Sequence, residues 1–473
     1  MKISGSLRDF VIILLLSIVI VCVYAPGFSA IFRNDEWLLN SIIEPMLCWS
    51  LPCFKGMLSY SLRPSYTGRH FWPVALWTIM LKLLIFGTKY FWHYALSLGF
   101  HICNIILVYF VGLKLSSNRM AALLGAIFFG STALVSDTIF WTFVFHYIFI
   151  TTITLISLIF HPALNNSKPK KISLWVFYLS IFIAPLVFET GLITILLAMA
   201  IFIAKRQTKT FPFAILAFFL VVLFILRVSL IMRFPISPGA LHRFFNSGFT
   251  GILNKLFFVI CPYFFLNAFL GTLKLFLGVL GAVFNIKIAD SVYLCGPDFK
   301  NPFTLIAIAF AFISVLYIYR FFMTRGLSRE LKFISTSFIV FILLNFVMLS
   351  FSIFPGDSIP EIVRQLPRFF YLPTAFMTIF LSQALMRTQN IKLFLIVAIF
   401  AVVSGAYFIT IQLDNIRPYT DSMKEDVRIF RNNGKLAPRL HPGVGRYAIR
   451  LDYSFVEDNI RAYLKLEKKA LLK

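Results

Sequence analysis

Phe10 to Ile31 form the sequence FVIILLLSIVIVCVYAPGFSAI, an almost unbroken apolar run near the start of the chain. One helix needs about 20 apolar residues to cross the hydrocarbon core of a bilayer, so this run predicts a membrane span. Lys2 and Arg8 precede it. Because basic residues favour the cytoplasmic side of a membrane, they predict a cytoplasmic N-terminus. We expect the run to stay in the mature chain as a signal anchor, since many further spans follow it.

The whole chain shares this apolar character. Hydrophobic residues make up 59% of it, charged residues only 13%, and the mean hydropathy is +0.86. Soluble domains contain about 25% charged residues, so the composition predicts an all-α, polytopic transmembrane helix bundle. The net charge of +25 would suggest nucleic acid as a partner of a soluble protein. In a membrane protein it favours the membrane surface and phosphate-bearing lipids instead, and no nucleic acid is expected.

Basic residues between the apolar runs determine the predicted topology. Residues 71–86 are short and contain Lys82, so they predict an interfacial helix in the first outside loop. Further spans are predicted at 92–113, 120–135, 141–160, 172–188, 190–204, 211–232, 303–320, 333–353, 370–386 and 392–411. This register places the basic connections on the cytoplasmic side. Residues 251–285 form either interfacial helices or a hairpin of two spans, which gives about 11 to 13 spans in all.

The predicted register separates the charges by side. All but two of the 19 acidic residues, Asp9 and Glu330, fall outside. The chain is therefore expected to divide into a transmembrane domain over 1–411 and a small extracytoplasmic C-terminal region over 412–473. That region is too short for much of an independent core. The polar chemistry is expected in the outside loops, above all in the first one, 27–91.

The first outside loop contains two features of chemical interest. Asp35 and Glu36 follow the first span by a few residues. The basicity of a carboxylate beside apolar walls and headgroups can be raised, and a membrane-borne substrate can reach it, so the pair is a candidate general base. The alternative is two solvated acids at a helix end. In the same loop, Cys48 and Cys53 are close enough in sequence for a local disulfide, with Cys295 as another candidate.

Polar residues inside a predicted span form a second candidate group. His101 and Asn104 are three residues apart and share one helix face. Such residues usually face a cavity or a partner, and the alternative role is an interhelical hydrogen bond. The sequence contains no metal-binding spacing, Walker loop or Gly-x-Ser-x-Gly elbow. We therefore expect no cofactor and no divalent metal, and the energy of any reaction has to arrive in an activated substrate.

Several short motifs occur in a suggestive order. Asp35-Glu36 follows the anchor, Arg69-x-x-x-Pro73 opens the interfacial helix, and His93, His101 and Asn104 lie along the next span. Further on come Ala133 to Trp141, then Phe188-Glu189, and finally Arg368-Phe369-Phe370-Tyr371-Leu372-Pro373. In this pattern the chain resembles the C-type (GT-C) glycosyltransferase superfamily, nearest to the protein O-mannosyltransferase and TMTC-like branch. Two departures are the three residues between Arg69 and Pro73, and Phe188 in place of a lysine.

The resemblance implies an inverting membrane glycosyltransferase. It would move a sugar from a polyprenyl-phosphate donor to an acceptor hydroxyl of a protein, lipid or glycan on the extracytoplasmic face. Asp35 is the expected base, and Glu36 positions the acceptor or exchanges roles with it. The residues expected to bind the donor and its phosphate are Arg69, His70, His101, Asn104, Glu189, Arg364 and Arg368. We expect a bacterial inner membrane, with the site facing the periplasm or exterior.

Two other classes of function fit a polytopic membrane protein. A transporter or flippase of a lipid-linked saccharide has the same architecture, but the sequence shows no internal repeat of halves, which many transporters contain. A scaffold or assembly factor would not depend on Asp35. Transfer of sugar by the purified protein in detergent distinguishes the enzyme from both, since neither alternative forms a glycosidic bond.

Overall fold

A computed structural model describes residues 3–32, 50–61, 73–116, 118–132, 135–164, 170–188, 190–207, 212–219, 371–386 and 390–436, with positions 222, 333 and 337 and parts of 457–467. Regular structure within these residues is entirely helical, which confirms the all-α prediction. Three stretches, Val11–Ser29, Tyr90–Ser116 and Thr142–Ile159, are long and apolar enough to cross a membrane. The chain is an integral membrane protein, and its total number of spans stays a prediction.

The helices follow one another with short connections over most of the described residues. They are α1 (Ile3–Tyr24), α2 (Leu51–Ser61), α3 (Pro73–Phe86), α4 (Tyr90–Ser116), α5 (Arg119–Ser131), α6 (Ser136–Phe140), α7 (Phe145–Ile159), α8 (Lys171–Val187), α9 (Gly191–Ala204), α10 (Tyr371–Leu385) and α11 (Ile391–Asn433). Single 3-10 turns occupy Ala25–Ser29, Thr142–Val144 and Pro162–Leu164. The predicted spans at 211–232, 303–320 and 333–353 and the segment 251–285 lie wholly or largely outside the described residues.

Several helix ends differ from the sequence-based bounds, among them those of α5 and α11. The third span was predicted to reach residue 135, but α5 ends at Ser131. The last span was predicted to end at residue 411, where hydropathy falls, yet α11 continues to Asn433. The buried residues Leu413, Ile416, Tyr419, Met423, Val427 and Phe430 explain this continuation. Their spacing of three and four residues makes one apolar stripe on a helix. The division into two domains at residue 411 stays a prediction, and α11 crosses that position.

The helix α4 lies at the centre of the bundle and packs on both α5 and α7. His101, early in α4, lies beside Phe129 at the end of α5, with ring centroids 5.3 Å apart. Late in α4, Gly112 lies beside Ala122 at the start of α5. The two helices are therefore antiparallel. The helix α10 packs on α5 and runs antiparallel to it, and therefore parallel to α4. The contact that shows this direction joins the start of α5 to the end of α10: the Asn118 side chain donates to the Met386 carbonyl at 3.2 Å.

The bundle has two distinct ends. At one end, which we call the basic end, the Lys114 ammonium donates to the Ile159 carbonyl, and His161 Nε2 donates to the Ala198 carbonyl at 3.0 Å. Basic residues at this end include Lys114, Arg119, Lys170, Lys171, Lys205 and Arg206. Their connections were predicted to share one side of the membrane, and they do share one end of the bundle. Which compartment that end faces stays a prediction.

The helix α3 packs on protein over much of its length. Lys82, which argued against a span, is only 4% exposed. Its ammonium donates to the Thr142 carbonyl at 2.8 Å and lies 4.8 Å from the centroid of the Phe145 ring. A buried cation costs free energy unless it is paired or hydrogen-bonded. These contacts offset that cost and fix α3 against the start of α7. The position of α3 relative to the membrane surface stays a prediction.

The helix α2 packs on α3 through an apolar cluster that includes Met57 and Met80. In α2, Cys53 is disulfide-bonded, whereas Cys22 and Cys103 are free. The sulfur that pairs with Cys53 is not among the described residues. Pairing with Cys48 therefore stays a prediction.

Candidate functional site

Most residues to which the sequence assigns catalytic or donor-binding roles lie outside the described residues. They are Asp35, Glu36, Arg69, His70, Glu189, Arg364 and Arg368. Their neighbours in the chain are described in several cases. In those cases the described neighbours show where the adjoining helices end and begin.

The end of the bundle opposite the basic end is built from aromatic side chains. We call it the aromatic end and define it by Tyr24, Tyr90, Tyr94 and Phe140. The Tyr94 hydroxyl donates to the Tyr24 carbonyl at 2.8 Å, and the Tyr90 hydroxyl donates to the Phe140 carbonyl at 2.6 Å. The Tyr94 and Phe140 rings are stacked at a centroid distance of 5.9 Å. These contacts join the end of α1, the start of α4 and α6.

The chain leaves α1 along this aromatic surface. At Gly27 a Cβ atom would lie 2.5 Å from the Tyr94 hydroxyl oxygen, so glycine allows the backbone to pass this close. Phe32 is 2% exposed, and its ring centroid lies 5.1 Å from that of His93 and 5.7 Å from that of Tyr90. Both pairs have the T-shaped geometry that aromatic rings prefer. Phe32 therefore packs against the start of α4, three residues before Asp35.

His101 and Asn104 meet the start of α10. His101 Nδ1 lies 2.6 Å from the Tyr371 hydroxyl, and Asn104 Nδ2 donates to the Ile148 carbonyl at 3.0 Å and to the Tyr371 hydroxyl at 3.4 Å. All three side chains are buried, His101 and Asn104 completely. The interhelical hydrogen bond that was the alternative for this pair is present. Contact of either residue with a donor phosphate stays a prediction.

This cluster joins motifs that are far apart in the chain. His101 and Asn104 belong to one quoted motif, and Tyr371 belongs to the last, which also contains Arg368. The ring of Phe129, at the end of α5, lies 5.4 Å from that of Tyr371. The chain therefore enters α10 beside α4 and α5, three residues after Arg368.

The chain around Glu189 also lies at the aromatic end. Phe188 is buried, with its ring centroid 4.9 Å from that of His146 and 5.0 Å from that of Tyr147. Thr190, on the other side of Glu189, is buried as well. Since His146 and Tyr147 open α7, the turn between α8 and α9 sits over the start of α7. The described neighbours of Asp35, Glu189 and Arg368 thus all meet at the same end of the bundle.

Sequence reasoning missed the contribution of the C-terminal residues. The Tyr463 ring lies 6.3 Å from that of Phe32, and its hydroxyl shares a hydrogen bond with the Thr88 side chain. Burial is the main reason that the pKa of Tyr463 is raised above its usual value, so the phenol is neutral at ordinary pH. The sequence indicated a helix near 454–472 but contained no signal for its partner, because 431 positions separate the two rings.

Among the described residues, no group of three or more His, Cys, Asp and Glu side chains could hold a metal ion. The acidic residues with predicted roles, Asp35, Glu36 and Glu189, are not among them. The expectation of a site without metal or cofactor therefore stays a prediction.

The fold and the site together define an all-α polytopic membrane protein whose predicted polar residues flank one end of the bundle. No family model and no curated protein matches the chain. Its fold is similar to that of ArnT from Cupriavidus metallidurans bound to undecaprenyl phosphate, with 12% identity, a TM-score of 0.41, and coverage of 100% of this chain and 89% of the other. It is also similar to the oligosaccharyltransferase AglB from Archaeoglobus fulgidus, solved with an inhibitory peptide and a dolichol-phosphate. There the identity is 14%, the TM-score 0.33, and the coverage 99% of this chain and 56% of the other. Both TM-scores are below 0.5, so neither likeness assigns the chain to a family.

Proposed function

We propose that the protein is a C-type (GT-C) membrane glycosyltransferase of the protein O-mannosyltransferase and TMTC-like branch. It transfers a hexose from a polyprenyl-phosphate donor to an acceptor hydroxyl of a protein, lipid or glycan. The observation that supports this best is the meeting of the described neighbours of Asp35, Glu189 and Arg368 at the aromatic end. We further propose a bacterial inner membrane, with the aromatic end facing the periplasm.

Chain connectivity limits how far apart the proposed groups are. Asp35 follows Phe32 by three residues, and Arg368 precedes Tyr371 by three. Three extended residues span at most about 11 Å. Phe32 lies on His93 and Tyr371 on His101, and eight residues of α4 correspond to about 12 Å along the helix axis. Asp35 and Arg368 are thus each three residues from a side chain that contacts the first half of α4, which is compatible with a shared cleft.

The proposed reaction needs few catalytic groups. The acceptor oxygen attacks the anomeric carbon, the bond between that carbon and the phosphate oxygen breaks, and the polyprenyl phosphate departs with the bonding electrons. Asp35 takes the proton of the acceptor hydroxyl, and the configuration at the anomeric carbon inverts. Because phosphate is already a good leaving group, one base and cations for the departing charge are sufficient.

The cations proposed for the donor phosphate are Arg364, Arg368, Arg69 and His70. Arginine suits this role because its planar guanidinium makes bidentate contacts with phosphate oxygens. His101 and Asn104 fit a supporting role better, since both are fully buried and bonded to Tyr371. We propose that they fix the start of α10 and thereby the direction in which Arg368 leaves it. Glu189 is proposed to orient the arginines or the acceptor.

The test uses full-length protein purified in detergent, a polyprenyl-phosphate sugar and a hydroxyl acceptor. We expect transfer by the natural chain and none by Asp35→Asn, because the amide cannot accept the proton. Asp414→Asn is the matched control, since Asp414 is an exposed carboxylate in an ion pair with Arg417 at 3.5 Å. Equal transfer by Asp35→Asn and the control would refute the base. If the lipid-linked saccharide moves across the membrane of proteoliposomes but no sugar is transferred to the acceptor in detergent, the result would favour a flippase.

A further inference from the structure

The C-terminal residues contact the bundle beside Phe32, just before the segment that contains Asp35 and Glu36, which we call the acidic loop. Ile460 is completely buried, and Ala462 and Tyr463 also pack inward. Ile460, Tyr463 and Phe32 belong to the same apolar core as α1 and α4. The described part of 457–467 is therefore a packed element of the aromatic end, although the sequence places it 422 or more positions beyond Asp35.

Tyr463 links this element to the chain that leads into the acidic loop. Its ring contacts the Phe32 ring at a centroid distance of 6.3 Å, and its hydroxyl is bonded to Thr88 in the turn before α4. Phe32 is also held by His93 and Tyr90 of α4. Phe32 is thus contacted by both the bundle and the C-terminal element, three residues before Asp35.

A second contact lies three residues earlier in the chain. The Lys424 ammonium, on the part of α11 beyond residue 411, donates to the Ser29 carbonyl. Ala30 and Ile31 therefore lie between two contacts, one to α11 at Ser29 and one to Tyr463 at Phe32. The segment from Ser29 to Phe32 is therefore contacted from the C-terminal side at both of its ends.

The C-terminal element is itself attached to the end of α11. An Arg431–Glu467 ion pair at 2.6 Å, and a hydrogen bond from the Leu436 amide to Glu457 Oε1 at 2.8 Å, connect the two. Both Arg431 and Glu467 are at least one third exposed, and exposed ion pairs contribute about 0 to 1 kcal/mol. We therefore expect the contact of Tyr463 with Phe32, and not this ion pair, to fix the position of the acidic loop.

We infer that the C-terminal element holds the start of the acidic loop on the bundle, with Tyr463 as a positioning residue for Asp35. This inference rests on the proposed function, in which Asp35 is the base. A displacement of about 1 Å can lower the rate of an oriented reaction by a factor on the order of 100. Loss of the Tyr463 ring should therefore lower kcat and leave KM for the lipid donor nearly unchanged, because the arginines proposed to bind the phosphate belong to other segments of the chain, before α3 and before α10.

The experiment compares Tyr463→Ala with Tyr463→Phe and Glu467→Gln in the full-length protein. Tyr463→Phe keeps the ring on Phe32, and Glu467→Gln removes only the exposed ion pair. A cysteine introduced by Asn34→Cys reports on the loop through its rate of reaction with a membrane-impermeant maleimide. The same variants without Asn34→Cys correct for the natural cysteines. Thermal unfolding in detergent measures stability in parallel.

We expect Tyr463→Ala to raise the labelling rate about fivefold or more, because local opening exposes the loop, and to lower kcat about tenfold or more. Tyr463→Phe and Glu467→Gln should remain within about twofold of the natural chain in both measurements. Unchanged labelling and kcat in Tyr463→Ala would overturn the inference. If labelling rises but the natural chain transfers no sugar, the positioning stands and the proposed function fails. If transfer occurs and kcat of Tyr463→Ala falls only as its folded fraction falls, the role is merely structural and the inference fails.

Discussion

The two ends of the bundle are built in different ways. At the basic end, most polar contacts join residues 2 to 45 positions apart: His161 accepts from the Ala163 amide and donates to the Ala198 carbonyl, and Lys114 caps Ile159. The bond from Asn118 to the Met386 carbonyl is an exception. At the aromatic end, the contacts include pairs hundreds of positions apart, such as His101 with Tyr371 and Phe32 with Tyr463. Local contacts are sufficient to turn a chain around. A site assembled from several loops requires distant segments of the chain to converge, as they do at the aromatic end.

The largest expected effect of this difference is on turnover, through Tyr371→Phe. The substitution removes the hydroxyl that bonds to His101 and Asn104 and leaves the ring in place. If the cluster directs Arg368, kcat should fall about 10- to 100-fold, with a modest loss in Tm because buried polar groups lose a partner. The measurement is initial transfer rate per folded protein. A normal rate with a lowered Tm would make the cluster purely structural.

The next effect is on stability, at the close contact between α11 and the end of α5. A Cβ atom at Gly405 would lie 1.7 Å from the Ser131 carbonyl oxygen. Gly405→Ala should therefore destabilise the protein by about 1 to 3 kcal/mol, since backbone has to shift. Chemical unfolding in detergent measures this. Gly99→Ala is the control, because its Cβ would meet no atom within 4 Å, and it should be neutral or stabilising.

A comparable loss of stability, without a loss of turnover, is expected at the basic end from His161→Ala. The change removes two hydrogen bonds from a buried ring and should cost about 1 to 3 kcal/mol of stability. Because the basic end lies away from the proposed site, transfer per folded protein should stay unchanged. A loss of turnover larger than the loss of folded protein would show that the two ends are coupled, which the contrast between them does not predict.

The smallest effect on stability and transfer is expected from a substitution on the part of α11 beyond residue 411. Asp414→Asn breaks an ion pair whose side chains are 58% and 65% exposed. Such pairs contribute about 0 to 1 kcal/mol and are screened by salt. Neither Tm nor transfer should change measurably. A clear loss of transfer would mean that this surface takes part in binding the acceptor.

Local patterns predicted the elements that local forces determine. The positions of α4, α8, α9 and α10 follow from apolar length. The Lys and Arg residues of the connections predicted that these connections share one end of the bundle, and the side of the membrane that this end faces stays a prediction. The end of α11 was misjudged, because hydropathy records burial in lipid and overlooks the amphipathic stripe that buries Tyr419 and Phe430 against protein. The end of α5 was also misjudged, since the apolar run beyond Ser131 does not continue the helix. The contacts of Tyr371 and Tyr463 depend on the tertiary arrangement, and no short window of sequence contains it.

The central claim is that the loops containing Asp35 and Arg368 meet on one face of the membrane. Spin labels on cysteines introduced by Asn34→Cys and Phe369→Cys measure this directly in the full-length protein. We expect one population in which the two spin labels are separated by well below the roughly 30 Å thickness of the hydrocarbon core. Both cysteines should also be labelled from the same side of the membrane. A separation of that thickness or more, with the two cysteines reactive from opposite sides, would contradict it.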